Sequence, residues 1–176
     1  ISSHTLAHIT VFGEYLEKFP PAYEVEIYEN TSWSCSHGVE RWKSDCGCSI
    51  GQQSSWNQKW RGPLRNALDR LRNRLISIYE DKMSPCVRDP WSARNEYIDI
   101  ILSRTDDSIG RFAARHALRK LSSEEITALL KLLEMQRNAQ LMYTSCGWFF
   151  DEISGIETVQ IMAYAARAIQ LALEVT

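Results

Sequence analysis

Between Trp33 and Cys48 the chain concentrates three thiols (Cys35, Cys46, Cys48), an imidazole (His37), two indoles (Trp33, Trp42), the Arg41 guanidinium and the Asp45 carboxylate. A second concentration, in residues 144–155, holds Cys146, Trp148, Asp151 and Glu152. Two chemistries fit these residue types. Indole faces stack on the apolar face of a pyranose while Asp, Glu, Arg and His bond its hydroxyls. A sugar cleft would therefore use Trp33, Trp42 and Trp148 as platforms, with His37, Arg41, Asp45, Asp151 and Glu152 as polar partners. Thiolates and imidazole are instead ligands for zinc, and sulfur-rich sets suit iron–sulfur clusters. A metal site would draw on Cys35, His37, Cys46 and Cys48, joined by Cys146 from the later segment. Cys-x-His followed at a distance by Cys-x-Cys matches neither finger nor ferredoxin spacing, so no cofactor is expected, with zinc or an iron–sulfur cluster as the alternative. Both have a plainer competitor: tryptophans fill helical cores and buried thiols behave as small apolar residues.

Other chemistries are weaker. Asp151 and Glu152 are adjacent and point in different directions on a helix or a strand, so they do not flank one bond, and a dyad with Asp45 or Glu40 has only loop carboxylates to support it. Cys35 with His37 lacks an oxyanion-hole signature. No catalytic residue is assigned. The 20 Lys+Arg against 22 Asp+Glu give a net charge of -2, so the whole molecule has no field suited to nucleic acid or an anionic membrane. The basic stretch Lys59, Arg61, Arg65, Arg70, Arg72 and Arg74 reads as a solvated or docking helix face. No apolar run reaches the roughly 20 residues needed to span a bilayer. Five cysteines, an odd count with three crowded together, fit a reduced cytoplasmic setting better than a disulfide framework. The chain begins at Ile1 with no initiator methionine, as a piece trimmed from a longer protein would.

The elements that must position these residues are mainly α. Leu6, Ile9, Phe12 and Leu16 predict a helix over residues 3–18, stopped by Pro20-Pro21. Residues 23–28 alternate apolar and acidic side chains like a short strand. Residues 29–58 read as a long functional loop. Pro63 opens a helix carrying Leu64, Leu68, Leu71, Leu75 and Ile78 as a bundle seam. Asp89-Pro90 caps the next, with Tyr97, Ile98, Ile101 and Leu102 on its buried side. A linking helix follows over 109–120, then a long one over 123–143 announced by the capping box Ser122/Glu125. The last helix is expected to bury Ile156, Val159, Ala163, Ala166, Ile169 and Leu173. The expected fold is one helical bundle of about five helices with two elaborate loops and at most one short strand.

Several strings are long and unusual: Asn30-Thr31-Ser32-Trp33-Ser34-Cys35, His37-Gly38-Val39-Glu40-Arg41-Trp42, Ser44-Asp45-Cys46-Gly47-Cys48, Trp56-Asn57-Gln58-Lys59-Trp60-Arg61-Gly62-Pro63, Cys146-Gly147-Trp148-Phe149-Phe150-Asp151-Glu152 and Ser154-Gly155-Ile156-Glu157. They resemble a bacterial domain of unknown function found C-terminal to a glycoside hydrolase family 57-like barrel. The resemblance implies an accessory helical domain that completes a cleft for α-linked, glucan-type oligo- or polysaccharides. Its partner would be the N-terminal catalytic barrel of the same polypeptide. That barrel would hold the catalytic carboxylates, which this chain lacks. The alternative is a Cys/His metal-binding helical interaction module.

Overall fold

The computed structural model describes residues 8–51 and 53–176. The chain divides into two units, Ile1–Asn30 and Thr31–Thr176.

In the first unit, α1 (Phe12–Lys18) ends just before Pro20-Pro21, as expected, and buries none of its residues. The expected start of this helix, with Leu6, lies outside the described residues. Residues 23–28 are exposed, and no strand forms among the described residues, so the alternating segment has no sheet to join.

The second unit is helical. Its central helices are α2 (Arg61–Met83), α6 (Ser123–Leu141) and α8 (Ile156–Val175), with α8 laid along α6 and both against α2. Shorter helices complete it: α3 (Pro90–Glu96), α4 (Ile98–Leu102), α5 (Asp106–His116) and α7 (Cys146–Phe149), with a single 3₁₀ turn at Glu40–Trp42. The caps are those the sequence announces. Asp89 accepts from the backbone N–H groups of Trp91 and Ser92, and Ser122 and Glu125 bond reciprocally at the start of α6. Leu68, Leu75, Tyr79 and Met83 of α2 meet Leu129, Leu132, Leu133 and Met135 of α6 and Ile161, Ala165, Ala168 and Leu171 of α8 in one core. The buried Tyr79 hydroxyl donates to the Pro90 carbonyl at 2.6 Å, and Tyr97 to Glu134 at 2.6 Å. No helix among the described residues is long and apolar enough to cross a membrane.

Two helix faces differ from expectation. Ile98, Ile101 and Leu102 of α4 are exposed, and Tyr97 and Ile100 are the residues buried. On α8, Ile156, Val159, Ala163, Ala166, Ile169 and Leu173 face outward, and Thr158, Ile161, Ala165, Ala168, Leu171 and Ala172 make the buried stripe. α8 carries apolar residues around most of its circumference, so periodicity alone does not select a face. Ala165, Ala168 and Ala172 pack beside Ile161 and Leu171 in the core shared with α6 and α2.

Candidate metal centre

The described residues between 31 and 60 lack regular structure apart from the 3₁₀ turn, and two devices fold them back on themselves. Gly38 and Gly47 take positive φ of 72° and 74°, backbone that a residue with a Cβ adopts at a cost. The Gly38 N–H bonds the Cys35 carbonyl at 3.2 Å. These turns bring Cys35 and His37 against Cys46 and Cys48, so that the four ligand atoms all lie within 4.8 Å of one another. His37 Nδ1 is the ring nitrogen turned toward the thiols, 3.4 Å from Cys48 Sγ and 4.0 Å from Cys35 Sγ.

The four side chains shift one another's protonation. His37 draws Cys48 down to about 7, and Cys48 in turn raises the imidazole. Burial opposes ionisation of Cys35, but the backbone groups of His37 and Arg41 outweigh it and the thiol sits below its usual range. Desolvation holds Cys46 above its usual range. Cys35 is buried, Cys46 and Cys48 are half-buried and His37 is exposed, so the centre has a closed inner side and an open outer edge. Cys146 is exposed at the start of α7 and is not part of the cluster.

Behind the centre lies a polar network that fastens it to residues 144–155. Gln58 accepts from the Gly47 N–H at 3.0 Å and the Cys46 thiol at 3.5 Å, and its amide nitrogen donates to Asp151 at 2.7 Å. Asp151 also accepts from Ser49 Oγ and the Ile50 N–H. Burial works against its carboxylate, but those donors and Arg61 outweigh it and hold its pKa below the usual range. Arg61 places Nη1 3.7 Å from Cys46 Sγ and donates through Nη2 to the Phe149 and Phe150 carbonyls, both at 2.9 Å. Arg41 donates to the Ser34 and Phe149 carbonyls and stacks on the Phe149 ring at 4.5 Å. α7 is a single turn, so its last carbonyls need external donors, and these two guanidinium groups supply them.

The expected sugar-binding residues divide into two sets. Trp148 is fully buried and stacked on Trp60 at 6.1 Å, so it is a core residue that offers no face to a ligand. Arg41 and Asp151 are buried, with their polar atoms committed to the bonds above. Trp42 is half-buried and bonds the Ser145 carbonyl through Nε1. Trp33, 92% exposed, lies on Phe149 with ring centroids 6.2 Å apart, while His37 and Asp45 are exposed and Glu152 is half-buried with its carboxylate on the Ser154 N–H. The two segments do meet, through buried hydrogen bonds. Sequence reasoning missed Gln58 and Arg61. Arg61, placed there on a solvated basic face, is 0% exposed. The clue available was its position beside Gly62-Pro63, at the very start of a helix that leads out of the cysteine loop.

The family profile described as "Domain of unknown function (DUF3536)" matches residues 56–176, the greater part of the chain. The chain belongs to this family. Gln58, Arg61 and Asp151 lie in the stretch shared with the DUF3536 profile, and the four metal-type ligands lie just N-terminal to it. No curated protein and no solved structure matches the chain.

Proposed function

We propose that this chain is a helical module organised by a mononuclear zinc centre at Cys35, His37, Cys46 and Cys48. The observation that carries the reading is the gathering of four ligand atoms within 4.8 Å. A tetrahedral zinc with bonds of about 2.3 Å to sulfur sets its ligands about 3.8 Å apart, so modest side-chain movement closes the site. An iron–sulfur cluster spreads its ligands over two or more irons and needs them farther apart, which favours a single ion. Four protein ligands leave no position open for substrate, the arrangement of a structural site. The metal would hold the 31–60 loop in one conformation against α2 and α7. The test is elemental analysis of protein purified without chelator, with cobalt substitution. One zinc per chain and a cobalt–thiolate charge-transfer band are expected in the wild type and in Cys146→Ser, and both are lost in Cys46→Ser. A wild type free of metal, with no cobalt–thiolate band, overturns the reading.

A second reading is favoured by Trp33, whose exposed indole is braced by Phe149. On the resemblance to domains that follow family 57-like barrels, the same face would serve as an accessory wall for α-linked glucan-type sugars, beside the catalytic barrel of a longer polypeptide. The expected result is chemical-shift change at the Trp33 indole N–H on adding maltooligosaccharides, abolished by Trp33→Ala. A Trp33 signal unmoved at millimolar sugar removes it.

A further inference from the structure

Three charged side chains are buried behind the cysteine cluster: Arg41 is 4% exposed, Arg61 0% and Asp151 2%. Two cations face one anion there, and Arg61 Nη2 and Asp151 Oδ1 are 3.8 Å apart. A surplus positive charge in a desolvated region is costly unless something answers it. Arg61 Nε also has no hydrogen-bond partner. Nη1 of the same guanidinium points to Cys46 Sγ at 3.7 Å. A divalent ion bound by three thiolates and a neutral imidazole carries a net charge of minus one, which cancels the surplus.

We infer that Arg61 is a positioning residue of the metal centre, supplying the countercharge to the anionic metal–thiolate complex and tying its occupancy to the conformation of residues 144–155. This rests on the zinc reading above and adds to it a partner within the fold. On metal entry each cysteine exchanges its S–H for an S–metal bond and the protons leave to solvent. At Cys46 the bond to Gln58 is lost, and the guanidinium becomes the nearest charged group behind the new complex. Gln58 keeps its bonds to the Gly47 N–H and to Asp151. Because the other arm of Arg61 holds the Phe149 and Phe150 carbonyls, ordering the metal site orders α7.

The experiment compares zinc affinity of wild type, Arg61→Lys and Arg61→Met by competition with a chromophoric chelator. Loss of a group behind metal ligands typically weakens binding 10–100-fold, the range expected for Arg61→Met. Arg61→Lys keeps the charge but not the fork to the two carbonyls, so it should recover most of that loss. A purely architectural role predicts no rescue by lysine. The ¹¹³Cd resonance of the cadmium-substituted protein should shift in Arg61→Met. Since that variant loses buried hydrogen bonds and can fail to fold, hydrogen exchange of the wild type with and without zinc is the second measurement. Zinc should increase protection at residues 145–151 as well as at 33–50. Binding by folded Arg61→Met as tight as wild type overturns the inference, as does protection confined to 33–50 while zinc is bound. Failure of the wild type to bind zinc at all is a separate outcome and removes the metal reading with it.

Discussion

Asp151 and Cys46 illustrate what residue types reveal and what they hide. The thiols and imidazole of residues 35–48 were legible as metal ligands from their chemistry, but their spacing argued against a known site pattern. The structure resolves that conflict through two glycines with positive φ, which fold the loop so that sequence distance no longer measures ligand distance. Asp151 was legible as functional and is instead a buried acceptor for Ser49, Ile50 and Gln58 beside Arg61. Asp151→Asn should cost about 3–5 kcal/mol in urea unfolding at neutral pH, since it leaves a buried guanidinium unanswered and aims an amide at donors. The folded-state pKa of Asp151 lies below its usual value. Its stabilisation is therefore present above the unfolded value of about 4 and is lost as pH falls through the folded one. The gap between wild type and Asp151→Asn should narrow as the pH drops below about 4; a gap constant down to the acid transition would show that the carboxylate's charge is not what stabilises the fold.

At the scale of the element, caps and breakers were the reliable signals. Asp89-Pro90, Ser122/Glu125 and Pro63 mark helix starts because their chemistry acts within one turn. α7 was hidden within the 144–155 loop because a single helical turn has no periodicity to read. Its position is fixed by packing on α8: the Thr158 hydroxyl donates to the Gly147 carbonyl at 2.8 Å. A Cβ added at Gly147 would collide with the Ile161 side chain and stand 3.0 Å from the Glu157 carbonyl oxygen. Ile161 is 1% exposed and has no room to yield. Gly147→Ala, ordinarily a favourable change within a helix, should therefore destabilise by about 1–3 kcal/mol, read as a lower thermal midpoint by circular dichroism. An unchanged or raised midpoint would mean that α7 is not pressed against α8 as described.

Which way α8 faces is a property of the whole molecule. Its sequence offers two apolar stripes, one of Ile156, Val159, Ala163, Ala166, Ile169 and Leu173 and one of Ile161, Ala165, Ala168, Leu171 and Ala172. Hydrophobic counting selects the first. The fold uses the second, in which Ala165, Ala168 and Ala172 sit beside the buried Ile161 and Leu171 and fill the junction with α6 and α2. The two choices predict opposite mutational patterns. With the second stripe inside, Val159→Ser and Leu173→Ser, at positions 47% and 74% exposed, should each change unfolding free energy by no more than about 0.5 kcal/mol. Ala168→Leu, at a position 0% exposed, should cost about 1–3 kcal/mol by overpacking the junction. Denaturant unfolding of the three variants measures both stripes at once. The reverse pattern, a tolerant Ala168 and costly losses at Val159 and Leu173, would rotate α8 by about half a turn and put a different face of the protein toward its surroundings.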